Sequence, residues 1–595
     1  MVSPRRDFAV SQSNKPTVRP LIMGRHGVVA AGHPLAARIG EHMLSSGGNA
    51  VDAGVAAGIA INVLLFDRTN FAGVAPIILY RAEGPELVTL DGLGVWPRLA
   101  DPEHFRRNCG GKMPPGILRS VTPGAPDSWL TALERFGTMT LGEVLEPAWD
   151  LAANGAPLST CVATTLRAME KDLDRVDPVA RDLFFPGGRA SVPGTPIVQP
   201  DLARVFKSLM DEEARARIQG ADRRRAIRSA RDLFYRGWIA EKFHEFHVSR
   251  GGWMRYDDLA AHAVEVSPPL HTSYHGYDVY TCSTWCQGPL LIQFLNILEN
   301  FDLGRLSHNS AEYLHLLTEA MDMALSDREN FYSDPRAARV PINGLTSKEY
   351  AKERAARIRL DHASREMPAP GNPWRYETGY EDKSVEPVDV SKYLDPKASP
   401  ELDTSYVAAG DRNGNLFSAT PSDPVLDMPI VPGLGLSGSS RGRQSRIDPG
   451  HPATLAPGKR PRLTPNPALA MLDGRPLMAF GCPGGDAQTQ AMLQFFLNVV
   501  HFGMNVQEAI EAPRIVTYNY PGSFAPFTYY PGRVDMEARI PLPVRETMGA
   551  MGREVRVVPE GAALMASIHA VVINPATGIL LGGADPRRPG AATGW

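Results

Sequence analysis

Two short segments place nucleophilic or charge-stabilising groups at turns. The first is "LDTSYVAAGDRNGNLFSATPSD", residues 402–423, in which two apolar runs flank Asn413-Gly414, a strong signal for a β-hairpin. If Gly414 is left-handed in a three-residue loop, Thr404 lies opposite Ser422; in a two-residue loop it lies opposite Asp423. In either register the Thr404 hydroxyl has a polar partner at the end of the next strand.

The second segment is "RPLMAFGCPGGDAQTQAMLQFFLNVV", residues 475–500. It predicts an apolar strand that ends before Gly484-Gly485, then Asp486 as the cap of a helix that continues until Gly503. Adjacent glycines at a strand-to-helix turn expose backbone N–H groups near the positive end of a helix dipole, an arrangement that stabilises an oxyanion. The alternative is a tight turn that needs glycine for steric reasons alone.

Two other motif matches offer different chemistry. "GSSRG", residues 438–442, fits the nucleophile elbow and would make Ser440 the nucleophile of an α/β-hydrolase. An elbow needs a helix after it, and the arginines and the Asp-Pro-Gly that follow predict none. For the same reason "GLGLSG", residues 433–438, is not expected to hold a dinucleotide.

The histidine and cysteine patterns predict no metal site. "HEFH" (244–247) and "HTSYH" (271–275) lack the spacing that places two imidazoles on one helical face, so we interpret them as surface or structural residues. The five cysteines form no CxxC pair and are an odd number, which favours free thiols in a reducing compartment. Neither a metal nor a cofactor is expected.

Composition describes an ordinary globular protein that needs no nucleic acid and no membrane surface. Of 595 residues, 43% are hydrophobic and 21% charged, with a formal net charge of −3. The basic run at 221–232 lies on a helical pattern among acidic residues, which is typical of a solvated helix face. The first thirty residues lack a signal-peptide core, so we expect a cytoplasmic protein with a loose N-terminal arm.

The elements that position these motifs can be traced along the chain. Pro34 and Asn49 begin two successive helices, and the apolar run at 53–66 is too short for a bilayer and predicts a buried helix. A hairpin follows at 76–92, and residues 125–380 are mostly helical by pattern, including an amphipathic stretch at 310–330. Residues 365–403 have a proline-rich linker composition, and the rest of the chain predicts a compact α+β unit.

Taken together, the motifs resemble the γ-glutamyltransferase family of N-terminal-nucleophile hydrolases over nearly the whole chain. The similarity is carried by "GVVAAGHPLAARIGEHMLSSGGNAVDAGVAA", "PGAPDSWLTALERFGTMTLGEVLEPAWDLAANG", "DTSYVAAGDRNGN", "DPGHPATLAPGKRPRLTPNPALAM" and "FGCPGGDAQTQ", in this order. The resemblance implies a four-layer αββα sandwich made as one precursor. That precursor would cut itself into a large subunit, 1–403, and a small subunit, 404–595, which form a heterodimer or a dimer of heterodimers.

The resemblance also implies roles for particular residues. It places the catalytic nucleophile on Thr404, the cleaved bond between Asp403 and Thr404, and the second hydroxyl on Ser422, which favours the three-residue loop. The paired oxyanion-hole glycines fall on Gly484 and Gly485. Cleavage by an N-to-O acyl shift would free the α-amine of Thr404, a base with an ordinary pKa near 8.

The same resemblance shows departures at the substrate pocket. The arginine that holds a γ-glutamyl carboxylate is replaced by Leu93 or Gly94, and the aspartate that holds its amine is replaced by Gln444. A glycine-rich stretch becomes "RTNFAGV", residues 68–74, and an asparagine after the second hydroxyl becomes Asp423 or Pro424. Without these charge-assisted hydrogen bonds, each contributing about 1.5–3 kcal/mol, glutathione is not the expected substrate.

These departures lead to a specific functional hypothesis. We expect an amidohydrolase that acts on a small amide through an acyl-enzyme, with substrate contacts from Asp423, Arg441, Arg443, Gln444 and Thr464. Arg441, Arg443 and Arg446 offer a replacement carboxylate site, or else belong to a solvated loop. The alternatives are a glutathione hydrolase or γ-glutamyltransferase with an altered clamp, an unprocessed non-catalytic relative, and a serine hydrolase at Ser440.

Overall fold

Two antiparallel sheets of seven strands each face one another, and helices cover both outer sides. A computed structural model describes residues 16–380, 384–394 and 403–595. The strands are β1 Ile22–Gly24, β2 Gly27–Ala31, β3 Ile77–Arg81, β4 Glu86–Leu90, β5 Ala156–Pro157, β6 Pro196–Ile197, β7 Val266–Ser267, β8 Leu270–Tyr274, β9 Tyr277–Thr281, β10 Val407–Asp411, β11 Leu416–Ala419, β12 Ile430–Val431, β13 Leu436–Ser437, β14 Ala468–Leu472, β15 Arg475–Gly481, β16 Ile515–Thr517, β17 Arg533–Glu537, β18 Glu554–Val558, β19 His569–Ile573, β20 Leu580–Ala584 and β21 Ala591–Gly594.

The α-helices lie mainly in the first two thirds of the chain. They are α1 Pro34–Ser45, α2 Ala50–Leu64, α3 Pro102–Asn108, α4 Ala125–Phe136, α5 Leu141–Asn154, α6 Thr160–Met169, α7 Pro178–Phe184, α8 Pro200–Ile218, α9 Arg223–Arg236, α10 Trp238–Ser249, α11 Tyr256–Ala260, α12 Gly288–Leu298, α13 Ala311–Phe331, α14 Ile342–Thr346, α15 Lys348–Ala355, α16 Gln488–Val500, α17 Val506–Glu511 and α18 Leu542–Ala550. Across the described residues no helix is both long enough and apolar enough to cross a bilayer.

The layers follow from the alternation of side chains along each strand. The first sheet has the order β21-β2-β10-β11-β3-β4-β7 and the second β1-β20-β19-β15-β14-β9-β8. On β10, Ala408 points into the core between the sheets, whereas Val407 and Ala409 point to the helices outside. The helices α1, α2 and α4 pack on the first sheet, and α12, α13 and α16 pack on the second. The predicted α+β fold with a four-layer αββα sandwich is therefore confirmed.

Both helices predicted near the start of the chain are present. Pro34 opens α1, and the side chain of Asn49 accepts hydrogen bonds from the backbone N–H groups of Val51 and Asp52 at the start of α2. Every residue of α2 is buried, as the apolar run predicted. The hairpin of β3 and β4 and the helical middle of the chain are also confirmed, although β5–β9 interrupt the latter.

Two details of the sequence prediction are wrong. Asp486 does not cap the helix after the glycine pair, because its carboxylate accepts hydrogen bonds from Gln287, Arg328 and Ser523 instead. A short 3-10 turn at Gly485–Ala487 comes first, and α16 then begins at Gln488 and ends at Val500. The stretch at 310–330 forms α13 as expected, but nearly all of it is buried between neighbouring elements instead of having one solvated face.

Strands from both sides of the Asp403–Thr404 bond are interleaved in each sheet. In the first sheet β2 lies between β21 and β10, and in the second β20 pairs with β1 while β14 pairs with β9. The predicted fragments 1–403 and 404–595 therefore share one core and are not separate folding units. The structure describes part of the predicted linker, 365–403, and in that part there is no α-helix and no strand longer than a single bridge. Residues 381–383 and 395–402 of the linker lie outside the described residues.

Candidate active site

The β10–β11 hairpin brings Thr404 and Ser422 together. Its register pairs Val407 with Ala419 and Gly410 with Leu416, and Gly414 has φ 86°, so the loop is the three-residue type. Beyond the ladder the pairing continues, since the N–H of Ser405 donates to the Pro421 carbonyl at 2.9 Å. The two hydroxyl oxygens lie 2.5 Å apart. The register that places Thr404 opposite Ser422 is confirmed.

A closed ring of hydrogen bonds surrounds the Thr404 hydroxyl. Arg441 Nη2 donates to Ser422 Oγ at 2.6 Å and to Asp403 Oδ2, and Thr404 Oγ1 donates to Asp403 Oδ1 at 2.8 Å. Because a guanidinium only donates, Ser422 accepts from Arg441 and gives its own hydrogen to Thr404 Oγ1. Each hydroxyl thus has one donor and one acceptor partner, and the Thr404 oxygen is held in a fixed orientation.

Asp403 is a buried carboxylate whose charge is balanced by two arginines. Burial alone would raise the pKa of this carboxyl, but Arg441, Arg443 and the hydrogen bond from Thr404 outweigh that effect and lower it below its ordinary value. Arg443 Nη2 lies 3.2 Å from Asp403 Oδ2. The group next to the Thr404 hydroxyl is therefore an ionised carboxylate at neutral pH.

The backbone at Thr404 is strained. Its φ is 80°, a left-handed value that is an outlier for a β-branched residue and costs of order 1–3 kcal/mol. The amide N–H of Thr404 donates to the carbonyl of Arg68 at 3.1 Å. The strained torsion therefore lies directly after the Asp403–Thr404 peptide bond.

The segment 68–74 has a structural role that sequence reasoning missed. Besides the contact from Arg68 to Thr404, Val74 forms a bridge with Ser422, whose N–H donates to the Val74 carbonyl at 2.9 Å. Asn70 Nδ2 donates to the Ser437 carbonyl at 2.8 Å. The segment therefore contacts Thr404, ahead of β10, and Ser422, beyond β11, at the open end of the hairpin. Arg68 and Val74 make their contacts through backbone carbonyls, which leave no signature in side-chain patterns.

The glycine turn lies at the same end of the sandwich. Gly481, the last residue of β15, faces the ring of Tyr406, and a Cβ placed there would lie 2.4 Å from Tyr406 Cε2. Gly484 and Gly485 follow with φ of 142° and 58°. Because Tyr406 directly precedes β10, this contact places the Gly484-Gly485 turn at the end of the sandwich where β10 begins.

Arg588 is a second charged residue that the sequence did not single out. It is buried, and burial lowers its pKa to about 10, while Arg68, Cys482 and Asp403 also act on it electrostatically. Arg588 therefore belongs to the same buried group of charges as Arg68 and Asp403.

The predicted substrate-binding residues fall into two groups around the 3-10 turn Ser440–Gln444. Arg441 and Arg443 face Asp403, as described above. Gln444 Nε2 donates to Thr464 Oγ1 at 3.1 Å, so these two buried side chains form a polar pair. The arginines are buried, which excludes the alternative of a solvated loop.

Asp423 holds the 3-10 turn in place. Its Oδ1 accepts hydrogen bonds from Ser440 N at 3.0 Å and Ser440 Oγ at 2.6 Å, and its Oδ2 accepts one from Ser439 Oγ. Burial raises the pKa of Asp423 despite the opposing charge of Arg441. With both oxygens occupied, this carboxylate orients the backbone that carries Arg441.

Ser440 does not have the context of a nucleophile elbow. It lies in a 3-10 turn that ends at Gln444 and is followed by an extended residue, with no α-helix after it. Its hydroxyl donates to Asp423 and lies 3.2 Å from Asp427 Oδ2, so its partners are carboxylates. This arrangement supports a structural role for Ser440.

The position of the γ-glutamyl clamp is apolar. Leu93 is buried in a cluster with Val74, Cys282, Trp285, Cys286 and Leu463. A side chain at Gly94 would collide with the Thr122 carbonyl. Val74 also forms a bridge with Ser422, the partner of Thr404. This buried apolar cluster therefore adjoins the candidate nucleophile, at the position where the sequence has no arginine to bind a carboxylate.

The other predicted sites have ordinary surroundings. All five cysteines are free, as expected. Among the residues described by the structure, no group of three histidine, cysteine, aspartate or glutamate side chains is arranged to hold a metal ion. The basic helix α9 is anchored by Arg231, which binds Asp127 and the His262 carbonyl.

Comparison with known proteins gives a consistent result. Residues 36–595 match the family model for gamma-glutamyltranspeptidase. The chain is 29% identical to the glutathione hydrolase proenzyme of Bacillus subtilis (strain 168), covering 96% of this chain and 92% of that protein. It is 30% identical to the acylase ACY 1 proenzyme of Pseudomonas sp. (strain SE83), covering 95% and 93%. The crystal structure of cephalosporin acylase from Bacillus halodurans superposes with a TM-score of 0.83 at 27% identity, covering 99% of each chain.

Proposed function

Because this chain belongs to the gamma-glutamyltranspeptidase family, we propose that it is a precursor that cuts itself before Thr404 and then hydrolyses a small amide. The observation that carries the proposal is the hydrogen-bonded ring around Thr404 Oγ1, together with the left-handed φ of Thr404 directly after the Asp403–Thr404 bond. Family members similar to this chain are hydrolases and acylases described as proenzymes, which supports both steps.

Self-cleavage follows from the ring. Thr404 Oγ1 attacks the Asp403 carbonyl carbon while Asp403 Oδ1, its hydrogen-bond acceptor at 2.8 Å, takes the hydroxyl proton. The C–N bond of the peptide breaks, the proton passes to the departing Thr404 nitrogen, and an ester joins Asp403 to Thr404 Oγ1. Water then hydrolyses the ester, which leaves a carboxylate on Asp403 and a free hydroxyl and amine on Thr404.

The new amine serves as the base for turnover. In the uncut chain the Thr404 nitrogen already points to the Arg68 carbonyl at 3.1 Å, and this hydrogen bond can hold the amine after cleavage. Ser422 continues to orient the hydroxyl, and the N–H groups of Gly484 and Gly485 are proposed to stabilise the oxyanion of the substrate amide. Water accepts the acyl group and completes the hydrolysis.

Cleavage must also uncover the site. Thr404 is 1% exposed in the uncut chain, so no substrate can approach its hydroxyl. Nearby in sequence, Tyr393 of the linker is anchored by a hydrogen bond from its hydroxyl to Asp448 and by packing against Phe527. Once the bond after Asp403 is cut, the linker has no covalent connection to β10 and can withdraw.

The substrate is proposed to be an amide other than a γ-glutamyl compound. Leu93 supplies no charge, and Gln444, already paired with Thr464, cannot replace a carboxylate as the partner of an amino group. A glutathione hydrolase remains the second candidate, favoured by the similarity to the Bacillus subtilis proenzyme. Comparable turnover of γ-glutamyl and unrelated anilides would decide for that candidate.

A denaturing gel with N-terminal sequencing tests the proposal. We expect wild-type protein to give two fragments, the smaller of which starts at Thr404, and Thr404→Ala to stay intact and inactive. Thr404→Ser is the matched control, because it keeps the hydroxyl and should still be cut. An intact wild-type chain that nevertheless hydrolyses amides would refute the proposal.

A further inference from the structure

We propose that Asp486 is a positioning residue, which holds the Gly484-Gly485 turn where its N–H groups stabilise the oxyanion formed when Thr404 attacks an amide. This inference rests on the proposed function, because it takes the two glycines as the oxyanion donors. It adds a residue that acts through the turn and not on the substrate itself. The carboxylate of Asp486 carries the argument, because it joins the turn to three other parts of the chain.

The first argument is that several hydrogen bonds converge on this one carboxylate. Asp486 Oδ1 accepts from Gln287 Nε2 and from Arg328 Nη1, both at 2.7 Å. It also accepts from Ser523 Oγ at 2.6 Å, and Asp486 Oδ2 accepts from the Ser523 backbone N–H at 2.8 Å. These donors lie at the start of α12, in α13 and after β16, so one side chain ties the glycine turn to three elements.

The second argument is that the charged donor is itself fixed in place. Arg328 is fully buried, its Nη2 donates to the Pro521 carbonyl at 2.8 Å, and its guanidinium lies 4.9 Å from the centre of the Tyr520 ring. Glu329 is 3.6 Å from Arg328 but is also bound by two further arginines. Asp486 is therefore the close counter-ion of a buried cation, and breaking such a pair from one side is strongly destabilising.

The third argument is that the segment bound by Asp486 also contacts the turn that carries the arginines. The centre of the Phe524 ring lies 5.7 Å from the Arg441 guanidinium and 4.7 Å from that of Arg443. The backbone N–H of the residue after Phe524 donates to the Arg443 carbonyl at 3.0 Å. One carboxylate therefore links the glycine turn to the 3-10 turn beside the candidate nucleophile.

The fourth argument is that the glycine turn has little room to adjust. Gly484 has φ 142°, and a Cβ placed there would lie 2.8 Å from the Cβ of Ala566, which is fully buried. Because Ala566 closes one side and Asp486 holds the other, a shift of the carboxylate is passed on to the glycine backbone. Misplacing a catalytic group by about 1 Å can slow a reaction about 100-fold, so the position of this turn sets the rate.

The test compares processed wild-type enzyme with Asp486→Asn, which keeps the size of the side chain but removes its charge. The substrates are γ-glutamyl and acetyl 4-nitroanilides. We expect kcat to fall by about 10- to 100-fold while KM stays within about twofold of wild type, because the alignment matters in the transition state and not in the bound substrate.

Asp52→Asn is the matched control. Asp52 is a buried carboxylate that accepts hydrogen bonds from Thr138 and Met139, near the start of α2. There the Ala50 N–H donates to Asp411, the last residue of β10, at the opposite end of the strand from Thr404. This variant should lose stability, as Asp486→Asn does, but should keep the wild-type kcat.

A binding measurement separates a displaced turn from a general loss of structure. When butylboronic acid binds, Thr404 Oγ1 forms a bond to boron, its proton passes to the Thr404 amine, and a tetrahedral anion with an oxygen in the oxyanion position results. In Asp486→Asn its inhibition constant should rise by about the factor by which kcat falls, since both depend on the same N–H groups. An unchanged inhibition constant would overturn this inference.

Ser523→Ala is the second variant, and it keeps the inference testable where Asp486→Asn does not fold. It removes one hydrogen bond to Asp486 and leaves both the carboxylate and Arg328 in place, so kcat should fall by about 3- to 10-fold. A wild-type kcat in either folded variant would overturn this inference, while cleavage and hydrolysis by Thr404 would still stand. Failure of the wild-type chain to cleave would instead refute the proposed function.

Discussion

Ser422→Ala is the substitution that most directly tests the hydrogen-bonded ring. Ser422 is fully buried, donates to Thr404 Oγ1 over 2.5 Å and accepts from Arg441 Nη2 over 2.6 Å. The alanine variant loses one bond between neutral groups, contributing about 0.5–1.5 kcal/mol, and one to a charged group, contributing about 1.5–3 kcal/mol. The first orients the attacking oxygen, and the second fixes the guanidinium that holds Asp403.

The lower ends of these ranges add to about 2 kcal/mol, which corresponds to a roughly 30-fold slower cleavage if the loss falls on the transition state. The assay is a pulse–chase of precursor made by cell-free translation, with the two fragments quantified on a denaturing gel. Ser422→Thr keeps the hydroxyl and is the matched control, expected to cleave much faster than the alanine variant. Cleavage of Ser422→Ala at the wild-type rate would refute the claim that the ring activates Thr404.

Four further predictions concern the same site. Asp403→Asn should slow cleavage by about 100-fold or more, because an amide cannot take the Thr404 proton. The same pulse–chase measures the rate, and an unchanged rate would exclude Asp403 as the base. Because Arg441 and Arg443 hold the pKa of Asp403 below the ordinary range of an aspartate, its carboxylate stays ionised in weakly acidic solution. Precursor cleavage should therefore vary little between about pH 5 and 8 and decline only at more acidic pH, as the lowered pKa is reached. Turnover of the processed enzyme should instead rise with pH towards about 8 as the Thr404 amine loses its proton, and a pH-independent kcat/KM would contradict that role. Ser440→Ala should retain both cleavage and hydrolysis, whereas loss of hydrolysis with cleavage intact would restore the serine-hydrolase hypothesis.

Much of the fold was predictable because its signals are local. Asn49 caps α2 through its own side chain, and Asn413-Gly414 fixes the hairpin because only a residue tolerant of positive φ fits the loop. The cap assigned to Asp486 failed for the opposite reason. Its carboxylate is drawn to Arg328, Gln287 and Ser523, which come from distant parts of the chain, and these partners outcompete the nearby backbone N–H groups.

The residues of the candidate site were likewise predictable only in part. The resemblance pointed to Thr404, Ser422 and the glycine pair, and the hairpin register is confirmed by the structure. The pairing of Arg441 and Arg443 with Asp403 could not be derived, because it depends on a 3-10 turn folding back over the end of β10. Arg68 and Arg588 were missed because one acts through its backbone carbonyl and the other through its burial.

The sequence by itself therefore determined the starts of α1 and α2, the Asn413-Gly414 hairpin and the glycine turn after β15. Each of these depends on residues close together in the chain, whose conformational preferences do not require the rest of the molecule. Only the tertiary structure decided which charges surround that bond. Burial removes the solvent that would screen Arg441, Arg443 and Asp403 from one another, so their contacts set the ionisation of the site.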